Sequence, residues 1–183
     1  MKILVLNGST RRHGNTELLA EKVTEGLSCT KIFLSEKKID PIRDMRHTAE
    51  GFPDVEDDYE EVLQALLAHD TVVFATPLYW YGMSGNMKTC IDRWSQSLRD
   101  KRFSFKEIMS QKQAYVVIVG GDQPKVEALP LVQQFSLIFK YIGMTFAGYV
   151  IGKGNKPGEV LQDEAALDQA AAINRMLKEG AKK

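Results

Sequence analysis

Cysteine is scarce in this chain. The 183 residues hold two, Cys29 and Cys90, far apart and without the close spacing that metal ligands need. Histidine is nearly as sparse, with His13, His47 and His69 isolated from one another, so no metal site is expected. His47 reads as a solvated loop residue and His69 as a charge at a helix end. No charge excess of either sign is present, since 24 Lys and Arg balance 24 Asp and Glu. That balance gives no draw toward nucleic acid or an acidic membrane, and it removes the acidic docking face of a typical electron carrier. Long apolar runs are missing too, so neither a signal peptide nor a membrane span is expected, and a reducing cytoplasm is the plain location.

What the chain has in abundance is alternation between strand-like and helix-like segments. Residues 3–6, 30–34, 71–75, 115–119 and 145–151 read as strands. Residues 16–26, 59–67, 86–98, 126–141 and 160–177 carry helical spacing between and after them. Such an order predicts an α/β fold: a doubly wound, five-stranded parallel sheet with helices on both faces. The expected organisation is one domain over 1–183, with a polar loop inserted at 37–58.

Ligands of such sheets bind beyond the carboxyl ends of the strands. The first strand empties into NGSTRRHGNT, which lacks the lysine of GxxxxGK[ST] and the glycine spacing of GxGxxG. A triphosphate or a dinucleotide pyrophosphate is a poor match; a terminal phosphate monoester is a good one. Ser9, Thr10 and Thr16 offer hydroxyls, Arg11 a guanidinium, and Asn15 an amide that could instead cap the helix. The alternative is a solvated loop in which Asn15 or Thr16 only caps, with Arg12 facing solvent. The third strand is followed by Pro77, Leu78, Tyr79, Trp80, Tyr81, Gly82, Met83, Ser84 and Gly85. Aromatic rings just past a buried strand suggest a flat ligand or a subunit interface. GGDQPK after the fourth strand completes a candidate pocket. Both cysteines fit small apolar positions, and no Cys-His-Asp arrangement supports covalent chemistry.

GSTRRHGNTE and TPLYWYGMSGNMKTCIDRW, in this order and strand context, resemble the flavodoxin-like NAD(P)H-dependent FMN reductases, near their iron-sulfur flavoprotein branch. The resemblance implies that Ser9, Arg11, Asn15 and Thr16 hold an FMN phosphate, with Thr10 beside them. It implies that Pro77, Leu78, Tyr79, Trp80, Tyr81 and Gly82 follow the ribityl chain and ring edge. Gly120 and Gly121 would close the pocket, and Met83 would pack beside the ring or a neighbouring helix. Backbone N–H groups near Tyr81, Gly82 or the third loop would meet the flavin N1–C2 region. Lys88, Asp92 and Arg93 match the motif but read as structural ion-pair or interface residues.

The implied activity is hydride transfer from NADPH or NADH through FMN, with no catalytic side chain required, to a small aromatic or quinone-like acceptor. Quinones, nitroaromatics, azo compounds and free flavin are the candidates; the alternative is a flavodoxin-like electron-transfer protein. The iron-sulfur branch carries a compact cysteine cluster where this chain reads KKIDPIRDMRHTAEGFPDVEDD, so no iron-sulfur cluster is expected. That stretch reads instead as a loop with a short helix, reaching over the active site or a neighbouring subunit. A homodimer or higher homo-oligomer is implied, burying Tyr81, Trp94 or parts of the 37–58 loop.

Overall fold

The computed structural model describes residues 1–181. Its strands are β1 (Ile3–Asn7), β2 (Cys29–Phe33), β3 (Thr71–Pro77), β4 (Gln113–Gly120) and β5 (Thr145–Lys153). They pair in parallel throughout, in the order β2-β1-β3-β4-β5. The helices in chain order are α1 (Asn15–Val23), α2 (Tyr59–Ala68), α3 (Gly85–Asp92), α4 (Trp94–Ser97), α5 (Phe105–Ser110), α6 (Pro124–Glu127), α7 (Leu129–Ile142) and α8 (Glu164–Ala181). This is the flavodoxin-like order, in which the chain reverses direction across the sheet between β1 and β3.

The period of two along each strand divides the apolar residues between two cores. Leu4, Leu6, Val72, Phe74, Val116 and Ile118 face one side, where α2, α3, α4, α5 and α7 supply the cover. Ile3, Val5, Val73, Ala75, Val117 and Val119 face the other, under α1 and α8. Ala166 and Ala170 on α8 leave room for close approach, while Ile173 and Leu177 fill the remainder. α7 ends in a Schellman turn: Gly143 adopts φ 82°, and the Met144 N–H donates to Phe139 O at 3.0 Å.

Several boundaries differ from the sequence reading. The expected helix 86–98 breaks at Arg93, and the expected helix 126–141 breaks at Ala128. α8 begins only after a separate 3-10 turn, Glu159–Gln162. α5 carries no legible period in the sequence, because its six residues hold only Phe105, Ile108 and Met109 as apolar positions, about one turn. Trp94 also differs in role. It is 3% exposed and lies edge-on to Phe74 with centroids 6.1 Å apart, so it belongs to the core and is not available for a subunit interface. Cys90 on α3 is buried, and burial pushes its thiol up to about 12, which leaves it chemically inert.

The 37–58 insert forms no helix, contrary to expectation. Its two ends are laced together instead. The Lys38 N–H donates to the Asp58 carboxylate at 2.7 Å, the Asp58 N–H to Lys38 O at 2.8 Å, and the Asp40 N–H to the Asp57 carboxylate at 2.9 Å. Arg93, at the joint between α3 and α4, clamps this neck. Its guanidinium pairs with Asp57, donates to Asp40 O at 3.0 Å, and stacks over the Tyr59 ring at 4.5 Å. Burial pushes the Asp57 carboxyl up, but N–H groups of Asp40 and Tyr59 together with Arg93 outweigh it and hold it below the usual range. Lys88 and Asp92 pair at 2.6 Å one turn apart on the α3 surface.

Candidate cofactor site

The loops that follow β1, β3, β4 and β5 converge on a cavity of about 350 Å³ at the carboxyl ends of the strands. Larger hollows of about 610 and 880 Å³ flank the insert around Arg93 and Gln96, away from those strand ends. The smaller cavity falls within the size range of small-molecule sites and sits where doubly wound sheets bind ligands.

The first loop is folded by its own polar groups. Asn7 Oδ1 accepts the Ser9 N–H at 2.9 Å, and Ser9 Oγ accepts the Arg11 N–H at 3.1 Å. Gly8 is required here, because a Cβ would stand 2.5 Å from Ser84 Oγ. Ser9, Arg11, Asn15 and Thr16 all line the cavity, whereas Thr10 is exposed and does not. The N-cap of α1 is Gly14, which offers no side-chain cap, so neither Asn15 nor Thr16 caps the helix. Its first-turn amides therefore lack intrahelical acceptors and face an anion-binding position. Asn15 has a task that sequence spacing did not reveal: its Nδ2 donates to Lys156 O at 2.9 Å, and its Oδ1 accepts the Val160 N–H at 3.4 Å. Arg12 is not simply solvated. Its guanidinium stacks 3.5 Å above the Phe33 ring and pairs with Glu36 at 3.1 Å.

The second loop divides the residues that the sequence grouped together. Pro77, Leu78 and Tyr79 line the cavity. Tyr79 and Gly82 exchange backbone hydrogen bonds of 3.0 and 2.9 Å, closing a two-residue hairpin turn with Trp80 and Tyr81 at its tip. The Gly82 N–H is thus committed to Tyr79 O. Both tip residues are left-handed, at φ 49° and 63°, and Trp80 is 96% exposed. A left-handed conformation costs an L-residue about 1–2 kcal/mol, and turns of this type prefer Asn-Gly. Tyr81→Gly is accordingly expected to raise the urea midpoint, by about 1 kcal/mol in stability. Met83 turns inward and packs in the core on the α2 and α3 side, the second of the two placements expected for it.

Gly120 and Gly121 line the third wall, and Gly120 permits the close approach that shapes it. A Cβ at Gly120 would meet Pro124 Cβ at 3.0 Å and Leu78 Cδ2 at 3.1 Å. Asp122 and Val119 complete this side. A fourth wall, Gly154 and Asn155 after β5, was missed in the sequence, where the glycines there read only as breakers. The available signal was topological, since β5 neighbours β4 and its outgoing loop must open on the same crevice. The Gly154 N–H donates to Gly120 O at 2.9 Å, and Arg11 Nη1 reaches Asn155 O at 3.4 Å, joining this wall to the others.

The donor set fits a phosphorylated, partly planar ligand. Two hydroxyls, a guanidinium and helix-start amides make the lining predominantly polar, while Pro77, Leu78 and Tyr79 add apolar surface beside the Gly120–Gly121 backbone. Asp122 is the one carboxylate on the lining.

A putative NAD(P)H-dependent FMN-containing oxidoreductase, YwqN of Bacillus subtilis, is 53% identical over 179 residues, covering 97% of each chain. A solved structure of a Trp repressor binding protein from Bacillus subtilis superposes with a TM-score of 0.80 at 47% identity, over 94% of this chain and 97% of that one. An iron-sulfur flavoprotein of Methanocaldococcus jannaschii, MJ1083, is more distant, at 26% identity over 98% of this chain and 96% of its own. Residues 1–155 match the model of the NADPH-dependent FMN reductases, and with all four walls of the cavity lying within that stretch, this chain belongs to that family of oxidoreductases.

Proposed function

We propose that the cavity holds FMN and that the protein uses NAD(P)H to reduce a small, flat acceptor of the quinone type. The observation that carries this reading is the meeting, in one cavity, of a phosphate-type donor cluster with the apolar groups of Pro77, Leu78 and Tyr79. Ser9, Arg11, Thr16 and the first-turn amides of α1 would hold the phosphate. Pro77, Leu78, Tyr79, Gly120 and Gly121 would bound the remainder of the cofactor. FMN, when bound, supplies the centre that accepts and donates hydride. Among the described residues, the lining offers no acid-base pair of side chains, which suits chemistry carried by such a group.

Cys29 on β2 and buried Cys90 on α3 are too few to ligate an iron-sulfur cluster, so electrons would leave by hydride or direct transfer to the acceptor. A flat acceptor matches the apolar side of the cavity, and quinones, azo compounds, nitroaromatics and free flavin share that shape.

The test is stopped-flow bleaching of the reconstituted protein by NADPH and by NADH, followed by recovery on adding a quinone. Fast bleaching with multiple turnovers is the expected result. Stable flavin that neither donor reduces would make the protein an electron carrier, and failure to retain flavin would sink the cofactor assignment. Arg11→Ala is expected to weaken FMN binding about tenfold, the loss of one charge-assisted hydrogen bond, as read by quenching of flavin fluorescence.

A further inference from the structure

Glu17 is a buried carboxylate for which the proposed chemistry has no use. It lies in the first turn of α1, 5% exposed, directly behind a loop assembled to attract an anion. A negative charge there opposes the function of the loop unless its shape-giving role matters more. The geometry shows that role. Glu17 Oε2 accepts the His13 N–H at 2.5 Å, and the other carboxylate oxygen lies 3.9 Å from His13 Nδ1. His13 is the left-handed residue of the loop, at φ 54°, and its ring is 85% exposed. This hydrogen bond therefore joins the strained turn of the phosphate loop to the helix that follows. It is a variant of the capping box, displaced by one residue, because the side chain reaches past Gly14 to the N–H before it.

We infer that Glu17 is a positioning residue of the anion site: by accepting the His13 N–H it holds residues 9–14 in the conformation that presents their donors to a phosphate. The inference deepens the proposed FMN reading and rests on it for the identity of the anion. Glu17 lies outside the cavity lining and borders a separate small hollow together with Asn7, Thr24 and Lys31, so it acts on the anion only through the loop. The acceptor atom is what matters, and the charge is incidental.

Two substitutions separate these roles. Glu17→Gln retains an acceptor oxygen, and Glu17→Met keeps the length of the side chain without one. FMN and riboflavin affinities of each variant, measured by fluorescence quenching, report the phosphate end and the ring end separately. Glu17→Met is expected to lose about tenfold in FMN affinity while riboflavin affinity holds, and Glu17→Gln to bind FMN as the unsubstituted protein does. Equal losses for both flavins, or no loss in Glu17→Met, would overturn the inference; so would a Glu17→Gln variant as weak as Glu17→Met. Amide hydrogen exchange over residues 9–14 in the flavin-free protein supplies an independent readout, expected to be faster in Glu17→Met than in Glu17→Gln. If the unsubstituted protein took up no FMN, the cofactor reading would fail, while the exchange comparison would still decide the role of Glu17.

Discussion

Arg93→Met is expected to destabilise the protein by about 3–5 kcal/mol, because it strands a buried carboxylate. Arg93 and Asp57 side chains are 3% and 1% exposed, so water cannot replace the lost partner. The same guanidinium satisfies Asp40 O and covers the Tyr59 ring, and those contacts go with it. Urea unfolding at neutral pH measures the loss. Its pH dependence supplies a second signature. The Asp57 carboxyl is held below its ordinary value in the folded protein. Its stabilising contribution is therefore present above the unfolded carboxylate range and disappears as pH falls through the depressed folded value. The gap between Arg93→Met and the unsubstituted protein should accordingly be widest near neutrality and narrow in acid. Adding Asp57→Asn to Arg93→Met is expected to recover part of the loss, since a neutral amide removes the buried charge and its one oxygen still accepts either the Asp40 or the Tyr59 N–H, which now bond to separate carboxylate oxygens. A double variant no more stable than Arg93→Met would place the loss in the Tyr59 stack instead.

Gly154→Val is expected to cost about 3 kcal/mol and to impair flavin binding as well. Even the first added carbon would stand 2.7 Å from Asn15 Nδ2 and 2.8 Å from the Val160 nitrogen. The backbone nitrogen cannot yield, and moving Asn15 breaks its bonds to Lys156 O and the Val160 N–H. The fourth wall would then separate from the phosphate loop. A thermal melt and an FMN titration together test this. Loss of stability with full flavin affinity would show that the 154–155 wall is dispensable for the ligand. Such a result would confine the binding role to the first three loops.

The strands were legible because each is a short apolar run that tolerates burial on both faces, and the parallel order followed from the helices between them. Their joints were less so. The break at Arg93 is driven by a partner 36 residues earlier, Asp57, which no local window contains. Asn15 reads locally as a phosphate donor or cap because its contacts, Lys156 and Val160, lie 141 and 145 residues further along the chain. For Tyr79, Trp80 and Tyr81 the sequence leaves a flat ligand and a subunit interface both open, and only the fold shows that a hairpin closed by Tyr79 and Gly82 sends the middle ring outward. Trp94 is indistinguishable in sequence from an interface residue until Phe74 and Phe105 are seen around it. Local chemistry thus picks out the first loop and the onset of the second as cavity lining, while the elements shaped by distant contacts needed the fold.

The laced neck of residues 38–58 also bears on how such a scaffold diversifies. A loop fastened at its base leaves its crown, residues 41–56, largely uncoupled from the folding of the sheet. Doubling the length of such a crown costs only about 0.6 kcal/mol in closure entropy. The clamp therefore makes the crown an interchangeable cassette, in which descent can add, delete or replace residues while the cavity at the strand ends stays as it was.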